Sequence, residues 1–333
     1  MKKILMIGTG GTIASVSTED GLRPGLSTEE VLEYIPSIKH KVFIETKTIS
    51  DIDSSNIRPD HWIMMANAVK ENYDKYDGFV ICHGTDTLAY TASALSYLIQ
   101  NNEKPIVVTG AQKPINLEVT DAKTNLYDSF LYAADDNSSG VSIVFDGKVI
   151  LGTRAKKESS KSFNAFASVN YPYLAVIIDD KIIRYIPKQE YNEPVIFYDE
   201  LFDKIGYLKL FPGIDPELFK HVFDSYDSIV IESFGVGGLP DYIRDVLYSR
   251  IADAKNRDKL FVMATQVVNE GSNMTVYEVG RKVKLDFNFL ETYDMTLEAT
   301  ITKLMWILGN FPHKFSITKE LFYSTIANDV LNV

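Results

Sequence analysis

Cysteine occurs once in the 333 residues, as Cys82, so no intrachain disulfide can form and a zinc site built on cysteines is excluded. Histidine is almost as sparse, with five copies. No His-Glu-x-x-His pair and no Gly-x-Ser-x-Gly elbow occurs, so metal-assisted hydrolysis and the usual histidine triad both lack their sequence signals. Positive charge is in deficit. The formal net charge of −11 repels phosphate backbones and anionic membrane surfaces, which makes nucleic acid and membranes unexpected partners. Long apolar runs are missing too. The stretch Met1–Ile7 imitates the start of a signal peptide, but Gly8, Gly10 and Gly11 cut it short and no cleavage-like site follows, so the chain is expected to stay in the cytoplasm. No tandem repeat or low-complexity segment is visible, which sets solenoids aside.

What is present is a 45% hydrophobic content, enough for substantial cores, in a length that favours two domains. Strand-length apolar runs alternate with stretches of helical periodicity, the pattern of parallel strands linked by covering helices, so an α/β fold is expected. The strand candidates in the first half are Lys3–Ile7, Gly78–Cys82, Pro105–Thr109 and Val141–Phe145. Helices are expected at Thr28–Tyr34, Asp60–Glu71, Thr87–Ile99 and Asp121–Ala134, with Leu88, Ala92, Leu95 and Ile99 showing the periodicity best. Irregular, charged sequence with Pro187 and Pro194 separates residues 1–186 from 206–333, and 187–205 reads as a linker. Beyond it the alternation resumes, with strands at Gly206–Leu210, Ser228–Glu232 and Lys259–Ala264 and helices at Asp241–Ala254 and Thr296–Leu308.

In an open parallel sheet, binding groups gather beyond the carboxyl ends of the strands. Three loops stand there. Gly8-Thr9-Gly10-Gly11-Thr12-Ile13-Ala14-Ser15 offers two hydroxyls on a backbone free to turn sharply, but Ile13 stands where a dinucleotide fingerprint needs its third glycine, and the Lys-Ser/Thr ending of a P-loop is absent. His83-Gly84-Thr85-Asp86-Thr87 carries more hydroxyl and carboxylate than one helix cap requires, with His83 read as a strand-end residue satisfied by hydrogen bonds. Gly110-Ala111-Gln112-Lys113-Pro114 is a candidate source of backbone N–H groups for an oxyanion. A neutral hydroxyl is a poor nucleophile that needs a base and a tuning charge, and Thr, Asp and Lys supply these roles without histidine.

The pair Thr9-Gly10-Gly11-Thr12-Ile13-Ala14-Ser15 and His83-Gly84-Thr85-Asp86-Thr87 resembles the two signatures of the bacterial-type L-asparaginases, here of the shorter cytoplasmic type I. The similarity extends through Gly110–Pro114, Phe163–Ser168, Glu232–Gly238 and Lys303–Trp306. It implies a larger N-terminal α/β domain with a mostly parallel sheet and a smaller flavodoxin-like C-terminal domain. It further implies Thr12 as nucleophile and Thr85, Asp86 and Lys157 as a second hydroxyl-carboxylate-ammonium group, with no metal or organic cofactor. Gly11, Ser54, Ser55, Gly84 and Ala111 match substrate-binding positions, the two serines at the α-carboxylate, Asp86 also at the α-ammonium and Ala111 beside the departing amide. Lys157 is selected over Lys156 by its place nine positions before Phe166.

The implied reaction is hydrolysis of L-asparagine to aspartate and ammonia through a β-aspartyl ester, and the order in which the two threonines act stays open. Self-association as a homodimer or homotetramer is implied as well. Two departures stand out: Leu22 occupies the position of a loop tyrosine, and Gly238 that of an asparagine which many members contribute from a neighbouring subunit. Three alternatives remain beside this reading: a glutaminase-asparaginase, the asparaginase-like subunit of a tRNA amidotransferase, and a non-catalytic amino-acid binding protein. The absence of a basic surface and of an extended N-terminal region speaks against the tRNA-linked form, and two threonines with a lysine exceed what binding alone needs.

Overall fold

Every residue of Gly78–Cys82 and Pro105–Thr109 is buried, as expected of parallel strands covered on both faces. In the computed structural model, which describes residues 1–18, 21–251, 259–276, 278–287 and 289–331, the chain forms two units, Met1–Asp199 and Glu200–Val333. The first holds an eight-stranded sheet. Its order is Lys181–Arg184, Ala175–Ile178, Lys148–Leu151, Gly140–Phe145, Pro105–Thr109, Gly78–Cys82, Lys3–Gly8 and Phe43–Thr48. The last five are mutually parallel, and the first three add on antiparallel.

Register is what positions the site. Gly8 pairs with both Thr48 and Cys82, and Cys82 pairs with Thr109, so four strands end in one row and release their loops at one edge. Helices at Thr28–Leu32, Pro59–Asn72, Leu88–Leu98 and Ala122–Ala133 connect the strands. The short first helix is fixed by a capping box, the Ser27 side chain accepting from Glu30 N–H and the Glu30 carboxylate accepting from Ser27 N–H. On one sheet face Met6, Val80, Cys82 and Val107 form a core with Val31, Leu126 and Phe130.

Phe43–Thr48 is a strand that the sequence pattern does not announce. It lies at the sheet edge, and its run Phe-Ile-Glu-Thr-Lys-Thr is only half-buried, so neither a continuous apolar run nor a clean alternation marks it. Inside the stretch 187–205, Ile196–Phe197 pairs antiparallel with Ile99–Gln100.

In the second unit four parallel strands, Ile205–Lys209, Ser228–Ser233, Leu260–Thr265 and Phe289–Glu291, follow chain order across the sheet. Stacked rings of Phe223, Phe261 and Phe289, with centroids 5.5 and 4.9 Å apart, run through its core. The helix expected at Asp241–Ala254 spans Asp241–Ile251, and residues 252–254 lie outside the described residues. Buried Lys303 and Asp329 meet at 2.6 Å and fasten the C-terminal segment to the Leu297–Asn310 helix. Among the described residues no helix is long and apolar enough to cross a membrane.

Candidate active site

The first loop is pinned before it reaches Thr12. Buried Thr9 donates its N–H and its hydroxyl to the Cys82 carbonyl at 3.1 and 2.8 Å, while the Thr9 carbonyl accepts from Ile52 N–H at 2.9 Å. Gly10 and Gly11 then take φ of 99° and 88°, in the left-handed region that costs a side chain strain. Space excludes a side chain as well. A Cβ on Gly11 would lie 2.4 Å from Gly84 N, so the backbone of the first loop rests directly on that of the second.

That contact sets Thr12 and Thr85 one residue beyond two touching glycines. Thr12 opens a short 3-10 turn, Thr12–Ala14, and among the described residues neither its hydroxyl nor the N–H groups of Gly11 and Thr12 are engaged. After this turn the chain forms a hairpin that pairs Ser15 with Pro24 and Val16 with Arg23. Residues 19 and 20 and the side chain of Leu22 lie outside the described residues.

The second loop carries the densest polar contacts. The Lys157 ammonium donates to Thr85 Oγ1 at 2.8 Å and to Asp86 Oδ1 at 2.7 Å. Lys157 reaches this point because its strand, Ala155–Lys157, pairs antiparallel with Phe166–Ser168, Lys157 opposite Phe166, and the pleat turns Lys156 to the other face. Thr85 and Lys157 are largely covered, while the Asp86 side chain is 66% exposed. Thr85 in turn donates to Gln112 Oε1 at 3.2 Å.

Ser54 is buried beneath this loop. Its hydroxyl accepts from Asp86 N–H at 3.2 Å, and its carbonyl accepts from the Thr87 hydroxyl at 2.8 Å. A Cβ on Gly84 would come within 2.6 Å of Ser54 Oγ, which explains glycine there. Ser55 is exposed and donates both its N–H and its hydroxyl to Asp53, holding that carboxyl below the usual range, the hydroxyl contributing most.

His83 is fully buried and satisfied by hydrogen bonds, as its reading as a strand-end residue expects. Its Nδ1 is 2.7 Å from the Gly84 carbonyl and its Nε2 3.0 Å from Thr91 Oγ1, which also accepts from the Trp62 indole. Nδ1 must carry the proton to meet a carbonyl, leaving Nε2 as acceptor. Burial pushes its pKa down to about 4, so the ring is neutral. Burial also pushes the Cys82 thiol up to about 12, which leaves it unreactive.

The third loop corrects one expectation. The Gln112 and Lys113 N–H groups donate to the Asp121 carboxylate at 2.9 to 3.1 Å, so neither is available to an oxyanion. Asp121 lies at the head of the Ala122–Ala133 helix, where Asn125 donates to it and to the Gly110 carbonyl. Ala111 is fully buried with Ile13 and Ile115. Asp121, Asn125 and the side chain of Gln112, whose loop was singled out only for its backbone, are what motif reasoning missed. One signal was available: Asp121 and Asn125 stand four apart on a helix face that is otherwise core, where a polar residue needs a partner. No cluster of three or more His, Cys, Asp or Glu able to hold a metal occurs among the described residues.

Comparison with known proteins gives this arrangement a context. An L-asparaginase from Thermococcus kodakarensis is 42% identical over 92% of this chain and 93% of its own. The solved structure of the thermostable L-asparaginase from that organism superposes with a TM-score of 0.92 at 38% identity, covering 99% of this chain and all of the other. The crystal structure of L-asparaginase I from Vibrio cholerae gives 0.88 at 28% identity, with 99% of each chain covered. A glutamyl-tRNA(Gln) amidotransferase subunit from Methanococcus maripaludis is 33% identical over 99% of this chain and 81% of its own. The family model "Asparaginase, N-terminal" matches residues 3–190 and "Glutaminase/Asparaginase C-terminal domain" matches residues 204–322, so the chain belongs to the asparaginase family.

Proposed function

We propose that this protein is an L-asparaginase that hydrolyses the side-chain amide of L-asparagine through Thr12, without a metal or organic cofactor. One observation carries the reading beyond family membership. The Lys157 ammonium lies between the Thr85 hydroxyl and the Asp86 carboxylate, next to a glycine loop that presents a second, unengaged threonine. A binding protein would have no use for that second hydroxyl.

In this scheme the Thr12 oxygen attacks the amide carbon and the developing oxyanion is met by the free N–H groups at Gly11 and Thr12. The amide nitrogen leaves as ammonia after taking a proton, and water then cleaves the β-aspartyl ester on Thr12 to release aspartate. Thr85 and Lys157 carry the proton traffic, and the exposed carboxylate of Asp86 receives the substrate α-ammonium. Ser54 supports Asp86 from beneath, and Ser55 meets the α-carboxylate once its hydroxyl turns from Asp53. The Ala111 backbone stands beside the departing amide. Holding the substrate by both α groups makes attack effectively unimolecular, which is where a short pocket gains its rate.

Assembly as a homodimer or homotetramer and a cytoplasmic location accompany this reading on the resemblance to type I enzymes, and light scattering of the active protein tests the first. The function itself is tested by ammonia release from asparagine, glutamine and buffer. Asparagine is expected to be strongly preferred. Comparable kcat/KM for the two amides would favour a glutaminase-asparaginase, and no release from either would favour a binding protein.

A further inference from the structure

Gln112 has no part in the scheme above, yet its side chain is bonded at both ends. Oε1 accepts from the Thr85 hydroxyl at 3.2 Å, and Nε2 donates to the Ser159 and Ser162 carbonyls at 3.1 and 3.2 Å. The two ends decide each other. If the amide flipped, Oε1 would face two carbonyl oxygens and Nε2 would meet the threonine, so the turn at Ser159–Ser162 dictates that an acceptor faces Thr85. The backbone of Gln112 is itself fixed, through its N–H, by Asp121.

A hydroxyl has one hydrogen, and Gln112 takes it. The Thr85 lone pairs are thereby left for Lys157, which donates at 2.8 Å, and the hydroxyl cannot spin to another acceptor without losing a bond. Lys157 precedes the turn whose carbonyls Gln112 holds, and that turn is closed by Glu158 N–H donating to the Ala165 carbonyl at 2.8 Å. One amide therefore ties the lysine-bearing hairpin to the orientation of the threonine hydroxyl.

We propose that Gln112 is a positioning residue for the hydrolysis, acting through Oε1 to hold the Thr85 hydrogen away from Lys157, so that a Thr85 lone pair faces the ammonium and the Thr85–Lys157 contact keeps its direction. The inference rests on the reading of Thr85, Asp86 and Lys157 as working groups. It differs from a strut role, in which Gln112 matters only because Nε2 holds the Ser159–Ser162 turn.

Two near-isosteric variants separate these. Gln112→Met keeps the volume and removes the acceptor. Gln112→Glu keeps the acceptor toward Thr85 but sets a carboxylate oxygen against the two turn carbonyls. With asparagine as substrate, kcat of Gln112→Met is expected to fall about tenfold with KM within about twofold, the scale of one hydrogen bond realised in the transition state. Gln112→Glu is expected to recover at least about threefold of that loss while melting at a lower temperature than Gln112→Met. If instead both variants lose kcat in step with their melting temperatures, Gln112 is a strut and the proposal is overturned. Two variants with wild-type kcat overturn it as well. Lys157→Met, measured alongside, keeps the two levels apart: it should lose at least about a hundredfold in kcat, and a silent Lys157→Met would remove the underlying site reading instead.

Discussion

Thr85 is buried and its hydroxyl is held from two sides, by the Lys157 ammonium at 2.8 Å and by Gln112 Oε1 at 3.2 Å, whereas Thr12 is half-buried and its hydroxyl meets none of the described residues. The loops beneath them differ in the same way. Behind Thr85 stand Ser54 and the buried His83, both bonded to its loop, while Thr12 follows two glycines of left-handed φ whose side-chain support is the Ser15 hydroxyl, which donates to the Gly11 carbonyl at 3.1 Å. The contrast fits a division of labour in which one threonine belongs to a prebuilt proton network and the other is left free to bond with substrate. Preorganised groups lower the cost of reaching the transition state, but a nucleophile already committed to a protein partner would have to break that bond first.

Replacing each threonine by valine sharpens the comparison. Thr12→Val is expected to cost at least about a thousandfold in kcat while leaving stability within about 0.5 kcal/mol of wild type, since no protein hydrogen bond is lost. Thr85→Val is expected to lower kcat too, and in addition to destabilise the fold by about 1–3 kcal/mol, because Lys157 and Gln112 each lose a partner. Urea melts beside steady-state kinetics read both quantities. Equal stability losses in the two variants would erase the distinction.

A pH-dependent effect concerns the held side alone. His83 is buried neutral with its pKa pushed down from 6.5 to about 4, so the unfolded chain takes up a proton that the folded one refuses. Its contribution to stability is whole above pH 6.5 and is lost as pH falls toward about 4, by about 3 kcal/mol in all. Asp128 works with the opposite sign, because burial raises its pKa to about 7 and its contribution is lost as pH rises from 3.8 through that value. The difference between wild type and His83→Gln removes the Asp128 part. Unfolding free energies measured from pH 7 to pH 4 should fall more steeply in wild type, and parallel curves would mean that His83 is not the group that titrates.

Much of the held side was legible in the sequence, and the reason is physical. Fully buried parallel strands such as Gly78–Cys82 and Pro105–Thr109 read as unbroken apolar runs, so the loops that follow them can be located without coordinates. Lys157 was reached through the family resemblance, which sets the matching lysine nine positions before Phe166, the residue it faces across the hairpin. The Phe43–Thr48 strand was not legible, because an edge strand with mixed exposure carries neither apolar signature. Gln112 escaped for another reason. Its partners Thr85, Ser159 and Ser162 lie far along the chain in both directions, and no local periodicity encodes such contacts. The expected oxyanion role of the third loop is closed to Gln112 and Lys113, because their N–H groups are claimed by Asp121, a carboxylate that reads from sequence as an ordinary helix start.

The most direct test of the account is to catch the covalent intermediate. Enzyme turning over asparagine is quenched in acid within the first turnovers, digested, and its peptides weighed for a β-aspartyl adduct. The account predicts the ester on Thr12, and it predicts that Thr85→Val still forms it, more slowly, while Thr12→Val forms none. An adduct on Thr85 in the wild-type enzyme would contradict it, because the held threonine would then be the nucleophile and the free one its assistant.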